Sequence, residues 1–350
     1  MDYAKLGRSG LKVSRVCLGT MTWGKQNTQS DADEQLNYAL AQGVNFIDTA
    51  EMYAVPPSPD TYGKTETIIG DWLSRHQEKR KDLVLATKIA GNGLKWVRGG
   101  GDISKEAVIT AVDQSLKRLQ TDYIDLFQLH WPNRTSPHFA KQWPGMVDIK
   151  SVDKSTERAQ MHAILEGLDT CVRAGKIRHC GLSNETPWGL SQYLDLAKQY
   201  SLPAMVSMQN EFSLVHGKDW PYLIEQCHHE DVAYLPWSPL AGGMLSGKYL
   251  GGARPAGSRW TIAQRNGLFR DTEQGQQAVA RYQEIAKQQG ITTAQLALAW
   301  CNQVQGVTST IIGATSMAQL QENIDAFALT LDEETLAQID AVFREYPAPY

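Results

Sequence analysis

The chain has 350 residues, 42% hydrophobic and 21% charged, with a formal net charge of -4. That composition excludes a disordered chain, and no apolar run approaches the ~18 residues a membrane helix needs. The modest charge gives no general field for nucleic acid or anionic lipid, so a small-molecule partner is expected, with neither nucleic acid nor membrane. The first residues, Met1 to Gly7, lack the basic start and apolar centre of a secretory signal, so a cytoplasmic location is expected. Five cysteines (Cys17, Cys171, Cys180, Cys227 and Cys301) are odd in number and form no CxxC, which indicates neither a disulfide framework nor a metal site.

Residues 2–15 read as a short hairpin with Arg8-Ser9-Gly10 as its turn, placed to plug the bottom of a barrel. Val16 to Met21 is a first strand, whose Gly19 allows close approach of a ligand or backbone. Helical periodicity over 31–41 leads to a strand ending in Asp48, and strand and helix then alternate. Helices near 65–75, 104–119, 157–174, 187–198 and 220–229 separate runs at 83–88, 123–130, 177–184, 205–210 and 232–240. The run 309–313 is the last. Eight strands alternating with helices predict parallel pairing and a single (β/α)8 barrel of the TIM type over 1–350, with an N-terminal β-hairpin. A doubly wound sheet calls for an early G-x-G-x-x-G turn, and the chain has none. Insertions at 54–64, 131–156 and 241–271 follow strand ends, so they are expected as long loops on the C-terminal face of the strands.

Three successive strands end in titratable residues, Asp48, Lys88 and His130, and Tyr53 stands five residues beyond the first. A parallel barrel keeps its chemistry on that rim. A carbonyl that accepts hydride becomes an alkoxide-like oxygen, which needs a proton donor and positive polarisation. Tyr53 can be the acid, Lys88 is expected to lower its pKa, Asp48 to keep Lys88 charged and aimed, and His130 to orient the carbonyl. A purely structural ion pair is the alternative role of Asp48 and Lys88. Lysine is not a usual metal ligand and no His-x-x-x-His or carboxylate cluster completes a shell, so no metal is expected.

These four residues resemble the catalytic tetrad of the aldo-keto reductases. The motifs that carry the resemblance are Gly43-x-x-x-Ile47-Asp48-Thr49-Ala50-x-x-Tyr53, Asp122 to His130, Gly175-Lys176-Ile177-Arg178 with Gly181-Leu182-Ser183-Asn184, Gln209-Asn210, and Trp237 to Gly243. They span nearly the whole chain, and the nearest-looking branches are the bacterial Tas-like proteins and the potassium-channel beta subunits. The resemblance implies NADPH or NADP as cofactor, with Ser183, Asn184 and Gln209 at the nicotinamide carboxamide and Trp237 stacked on the ring. Core packing is the alternative for Trp237. It further implies Thr20 and Met21 beside the cofactor, and a pyrophosphate loop at Ser238, Pro239, Leu240 and Gly242 with Leu245 and Lys248. Gly313, Thr315, Gln319, Glu322 and Asn323 are implied at the adenosine. Many relatives carry a lysine or arginine where this chain has Gly313 and Gln319. In the potassium-channel beta-subunit branch an arginine of the preceding long loop resembles Arg259, so the resemblance implies Arg259 as the 2'-phosphate clamp, with a solvated loop charge as its alternative.

Trp23, Met52 and Trp131, together with Pro132, Phe139 and Trp143, are expected to form an apolar mouth for a carbonyl substrate, unless Phe139 and Trp143 only cover their long loop. A regulatory subunit that senses NADP(H) through a protein partner is the rival reading. The sequence does not fix an oligomeric state.

Overall fold

The structure, a computed structural model, describes residues 1–262 and 268–350, so part of the expected loop 241–271, residues 263–267, lies outside the described residues. Strands β1 (Tyr3–Lys5) and β2 (Lys12–Ser14) pair antiparallel around a turn at Gly7–Ser9 that ends in the left-handed Gly10. Among the described residues eight strands follow: β3 (Val16–Gly19), β4 (Phe46–Asp48), β5 (Val84–Ile89), β6 (Ile124–Leu129), β7 (Ile177–Ser183), β8 (Met205–Glu211), β9 (Ala233–Trp237) and β10 (Thr310–Ile312). They pair in parallel in the order β10-β3-β4-β5-β6-β7-β8-β9. Tyr234 bridges Val307, and the Thr308 N–H donates to the Tyr234 carbonyl at 2.9 Å, which draws the outer strands together. The eightfold barrel and its hairpin are both present.

Every residue of β5, β6 and β8 is buried. Parallel strands need this, because helices cover the sheet outside and side chains fill it within. Inside the barrel Cys17, Phe46, Ala86, Leu126, Val206 and Leu235 pack with Leu6 and Val13 of the hairpin. Burying Leu6 and Val13 contributes about 1.5–3 kcal/mol each, and it seals one end of the barrel. Gly7 permits the approach: at φ +51° a Cβ would lie 2.4 Å from the Asp231 carbonyl.

Thr28, Ser104, Asp153 and Thr186 accept backbone N–H bonds at the starts of helices Gln29–Ala41, Lys105–Leu119, Lys154–Arg173 and Pro187–Tyr200. Each cap is worth about 1 kcal/mol. The Asp153 cap starts its helix earlier than the apolar periodicity suggests and shortens the preceding loop. Two helices without a counterpart in the sequence reading, Glu273–Gln288 and Thr293–Gln303, precede β10. Glutamines dilute the apolar periodicity of the first, the second is apolar on most of its faces and so shows no clear stripe, and Thr272 and Thr292 cap them. Among the described residues no helix is long and apolar enough to cross a membrane.

Candidate active site

Strand register builds the site. Gly19 lies opposite Asp48, Lys88 opposite Gln128, Gln128 opposite Gly181, and Ser183 opposite Gln209. Inward-facing side chains at these levels meet above the apolar filling. Lys88 is fully buried, and its Nζ donates to Asp48 Oδ2 at 2.6 Å and to the Thr49 carbonyl at 2.8 Å. Asp48 Oδ1 accepts from Gln209 Nε2 at 2.9 Å and Gln128 Nε2 at 3.2 Å. The carboxylate is therefore fully committed. Burial opposes the Lys88 charge, but Asp48 and then Tyr53 outweigh it and hold the ammonium above its ordinary value.

Tyr53 stands over this pair, with Lys88 Nζ 5.2 Å from its ring centroid and the His130 ring at 5.8 Å, edge-on at 78°. The expected lowering of its pKa is not what the site produces. Burial raises the phenol above its ordinary value and the pull of Lys88 only limits the rise, because desolvation of a phenolate exceeds the attraction of a cation already shared with Asp48. The hydroxyl is thus held protonated, as an acid must be. Burial, with Lys88 second, pushes His130 well below the ordinary imidazole value. A neutral ring keeps one N–H donor for a carbonyl.

Asp48, Tyr53 and His130 open onto a cavity of about 830 Å³, while Lys88 lies beneath its floor. All the sequence-derived cofactor candidates except Leu245 lie on its wall. Thr20, Met21, Ser183, Asn184, Gln209 and Trp237 come from the ends of β3, β7, β8 and β9. Ser238, Pro239, Leu240, Gly242, Lys248 and Arg259 follow β9, and Gly313, Thr315, Gln319, Glu322 and Asn323 follow β10. Leu245 is different: it is fully buried in a core cluster with Tyr249 and Trp260. The segment after β9 has left-handed φ values at Ser238, Ala241, Gly242 and Gly243.

Three of the expected aromatic positions need correction. Trp23 is fully buried and its indole N–H donates to Gln35 at 3.0 Å, so it is held against the helix Gln29–Ala41 and does not line the cavity. Trp131 sits behind His130, with ring centroids 4.9 Å apart, and its N–H is taken by the Asn92 carbonyl. It lies so close over Gly91 that a Cβ there would fall 2.2 Å from the indole. Trp143 packs under Lys218, away from the cavity. Met52 and Phe139 do line it, and Phe139 lies 6.1 Å from Trp237 in a near-parallel stack.

Gln128 is a further site residue not expected from the sequence, although it shares the inward face of β6 with Leu126 and His130 at period two. Glu211, Phe269 and Arg270 on the cavity wall were likewise not expected. Arg270 is buried and paired with Glu211, which also accepts from the Tyr350 hydroxyl at 3.2 Å.

A nicotinamide dinucleotide can be tested against atoms the fold leaves unspent. Asn184 Oδ1, the Trp237 indole N–H and His130 Nδ1 are buried without a hydrogen-bond partner among the described residues. Unpaired polar atoms cost about 1–3 kcal/mol each, which a carboxamide and a carbonyl can relieve. Arg259 has no carboxylate within ion-pair distance among the described residues, and burial, then Arg270, push its guanidinium down to about 10. An anion there removes that penalty. The residues fit the group.

The Aldo/keto reductase family pattern matches residues 15–344. The chain is 44% identical to "Protein tas" of Escherichia coli (strain K12) over 354 aligned positions, covering 100% of both chains, and equally similar to "Protein tas" of Shigella flexneri. It is 32% identical to "Uncharacterized oxidoreductase YrpG" of Bacillus subtilis (strain 168), with 98% of this chain and 96% of that protein covered.

Proposed function

The chain belongs to the aldo/keto reductase family, and on that premise we propose that it reduces aldehydes or ketones to alcohols with NADPH. The observation that carries the reading is Tyr53 on the wall of a ligand-sized cavity, standing over a buried lysine that is ion-paired to a fully bonded aspartate, with burial holding the phenol above its ordinary value. NADPH, when bound, supplies the hydride. Ser183, Asn184 and Gln209 would hold its carboxamide, Trp237 its ring face, the left-handed segment 238–243 with Lys248 its diphosphate, and Gly313 to Asn323 its adenosine. Arg259 is the group to take the 2'-phosphate.

Tyr53 gives its proton to the carbonyl oxygen as negative charge develops there. Lys88 stabilises the phenolate left behind, and Asp48 keeps Lys88 in place. Neutral His130 orients the oxygen with an N–H. Met52, Phe139 and Trp237 offer an apolar mouth, which suits uncharged carbonyl compounds of several shapes. The test is steady-state consumption of NADPH, with NADH in parallel, against aromatic and aliphatic aldehydes and a charged sugar phosphate. Repeated turnover of several uncharged aldehydes is expected. Tight NADPH binding with no turnover would shift the reading to an NADP(H)-sensing subunit that acts through a protein partner.

A further inference from the structure

The loop after β6 is fastened to residues 184–186, just beyond β7, through side chains at 134, 136 and 138. Arg134 reaches Glu185 with two nitrogens, one of them at 2.9 Å, and donates to Thr186 Oγ1 at 3.1 Å. Its side chain is only 7% exposed and that of Glu185 2%. Ser136 donates to the Asn184 carbonyl at 3.4 Å, and His138 Nε2 lies 3.1 Å from the Glu185 carbonyl. Asn210 holds Glu185 from the other side, donating to its carbonyl at 3.0 Å and accepting from its N–H at 3.3 Å. The loop then delivers Phe139 to the cavity wall, one residue after the last of these contacts.

Asn184 lies at the far end of the same connection. It is left-handed at φ +54°, it donates to the His130 carbonyl at 2.8 Å, and its Oδ1 is buried without a partner among the described residues. We infer that Arg134 is a positioning residue that couples the substrate wall at Phe139 to the cofactor-side residue Asn184. A group bonded to Asn184 Oδ1 fixes residues 184–186, and the bidentate Arg134 contact transmits that order to the loop. By linkage the effect is reciprocal: an ordered Phe139 wall also favours the conformation of Asn184 that binds. The coupling deepens the reductase reading and rests on the nicotinamide lying at Asn184.

The test needs a readout besides turnover. The loop carries exposed Lys141 and Lys150, so trypsin cleavage there reports its order. NADPH at saturation, verified by fluorescence titration, is expected to slow cleavage of wild type about tenfold. In Arg134→Lys, which keeps the charge and loses the fork, NADPH still binds but the protection falls to about twofold or less, and KM for benzaldehyde rises with kcat little changed. Because a buried Glu185 left with a weaker partner is a folding risk, Phe139→Ala is run beside it. That variant is expected to raise KM while keeping the protection by NADPH. Equal protection in wild type and Arg134→Lys overturns the coupling, as does NADPH binding that leaves wild-type cleavage unchanged. Protection that depends on Arg134 in a protein that turns over no carbonyl supports the coupling and sinks the reductase reading alone. Failure of NADPH to bind sinks both.

Discussion

Two of the buried acid-base clusters on the barrel stand in contrast: the one around Asp48 faces the cavity, and the one around Asp125 does not. Near the start of β6, Asp125 is fully buried and accepts from Arg80 and Arg178, both at 2.8 Å, and from the Leu85 N–H at 3.0 Å. Tyr123 packs against both guanidinium groups, 3.8 Å and 4.1 Å from them. At the opposite strand ends Asp48 is equally satisfied by Lys88, Gln128 and Gln209. A buried ion pair alone therefore does not mark a site. What separates the two is the neighbourhood: the Asp48 cluster carries Tyr53 and His130 into a cavity whose wall keeps polar atoms in reserve, and the Asp125 cluster spends its contacts on the chain itself.

The sharpest way to break this contrast is to remove a charge from each cluster. Lys88→Met strands the Asp48 carboxylate. It should cost about 3–5 kcal/mol by denaturant unfolding and cut kcat about 10²–10⁴-fold. Asp125→Asn should cost about 3 kcal/mol of stability while kcat at 25 °C stays within about twofold of wild type. Equal losses of kcat in the two would erase the distinction.

A smaller effect belongs to the loop after β9, where charge is held in reserve. Arg259→Gln should weaken NADPH binding about 10- to 100-fold and leave NADH binding nearly unchanged, read by fluorescence titration. Its stability should not fall, because the substitution removes a half-buried cation that has no carboxylate partner among the described residues.

The smallest expected effect is a flat pH profile. The His130 pKa lies below its ordinary value and that of Tyr53 above, so both keep the neutral form across the neutral range. The rate constant for reduction should stay level from about pH 6.5 to about pH 9.5, measured by stopped-flow under saturating cofactor. The folded state binds fewer protons at His130 than the unfolded chain does below about pH 6.5. Stability should accordingly fall as pH drops through that value, by at most about 1.4 kcal/mol per unit from this one ring.

Much of this was legible from the chain. Apolar runs that end in Asp48, Lys88 and His130 can be read because a parallel strand buries both faces and first meets solvent at its end. The same rule, applied with period two, finds Gln128 as well. Trp23 misleads because an aromatic just beyond a strand end looks like rim, whereas its N–H is claimed by Gln35, twelve positions along on the next helix. Glu211 and Tyr350 meet across 139 positions, and the Tyr350 contact with Arg270 comes from elements packed only in the fold. No local pattern encodes such a meeting. The direction of the Tyr53 shift was likewise hidden, since it depends on how burial compares with a lysine already paired to Asp48.

The central claim is that Tyr53 is the acid of a carbonyl reduction and not a wall of a binding pocket. Its most direct test is Tyr53→Phe, with NADPH affinity by fluorescence and single-turnover reduction of benzaldehyde measured on the same preparation. The expected result is a dissociation constant unchanged within about twofold and a hydride-transfer rate lower by about 10²–10⁴. A variant that binds NADPH and reduces the aldehyde at the wild-type rate contradicts it.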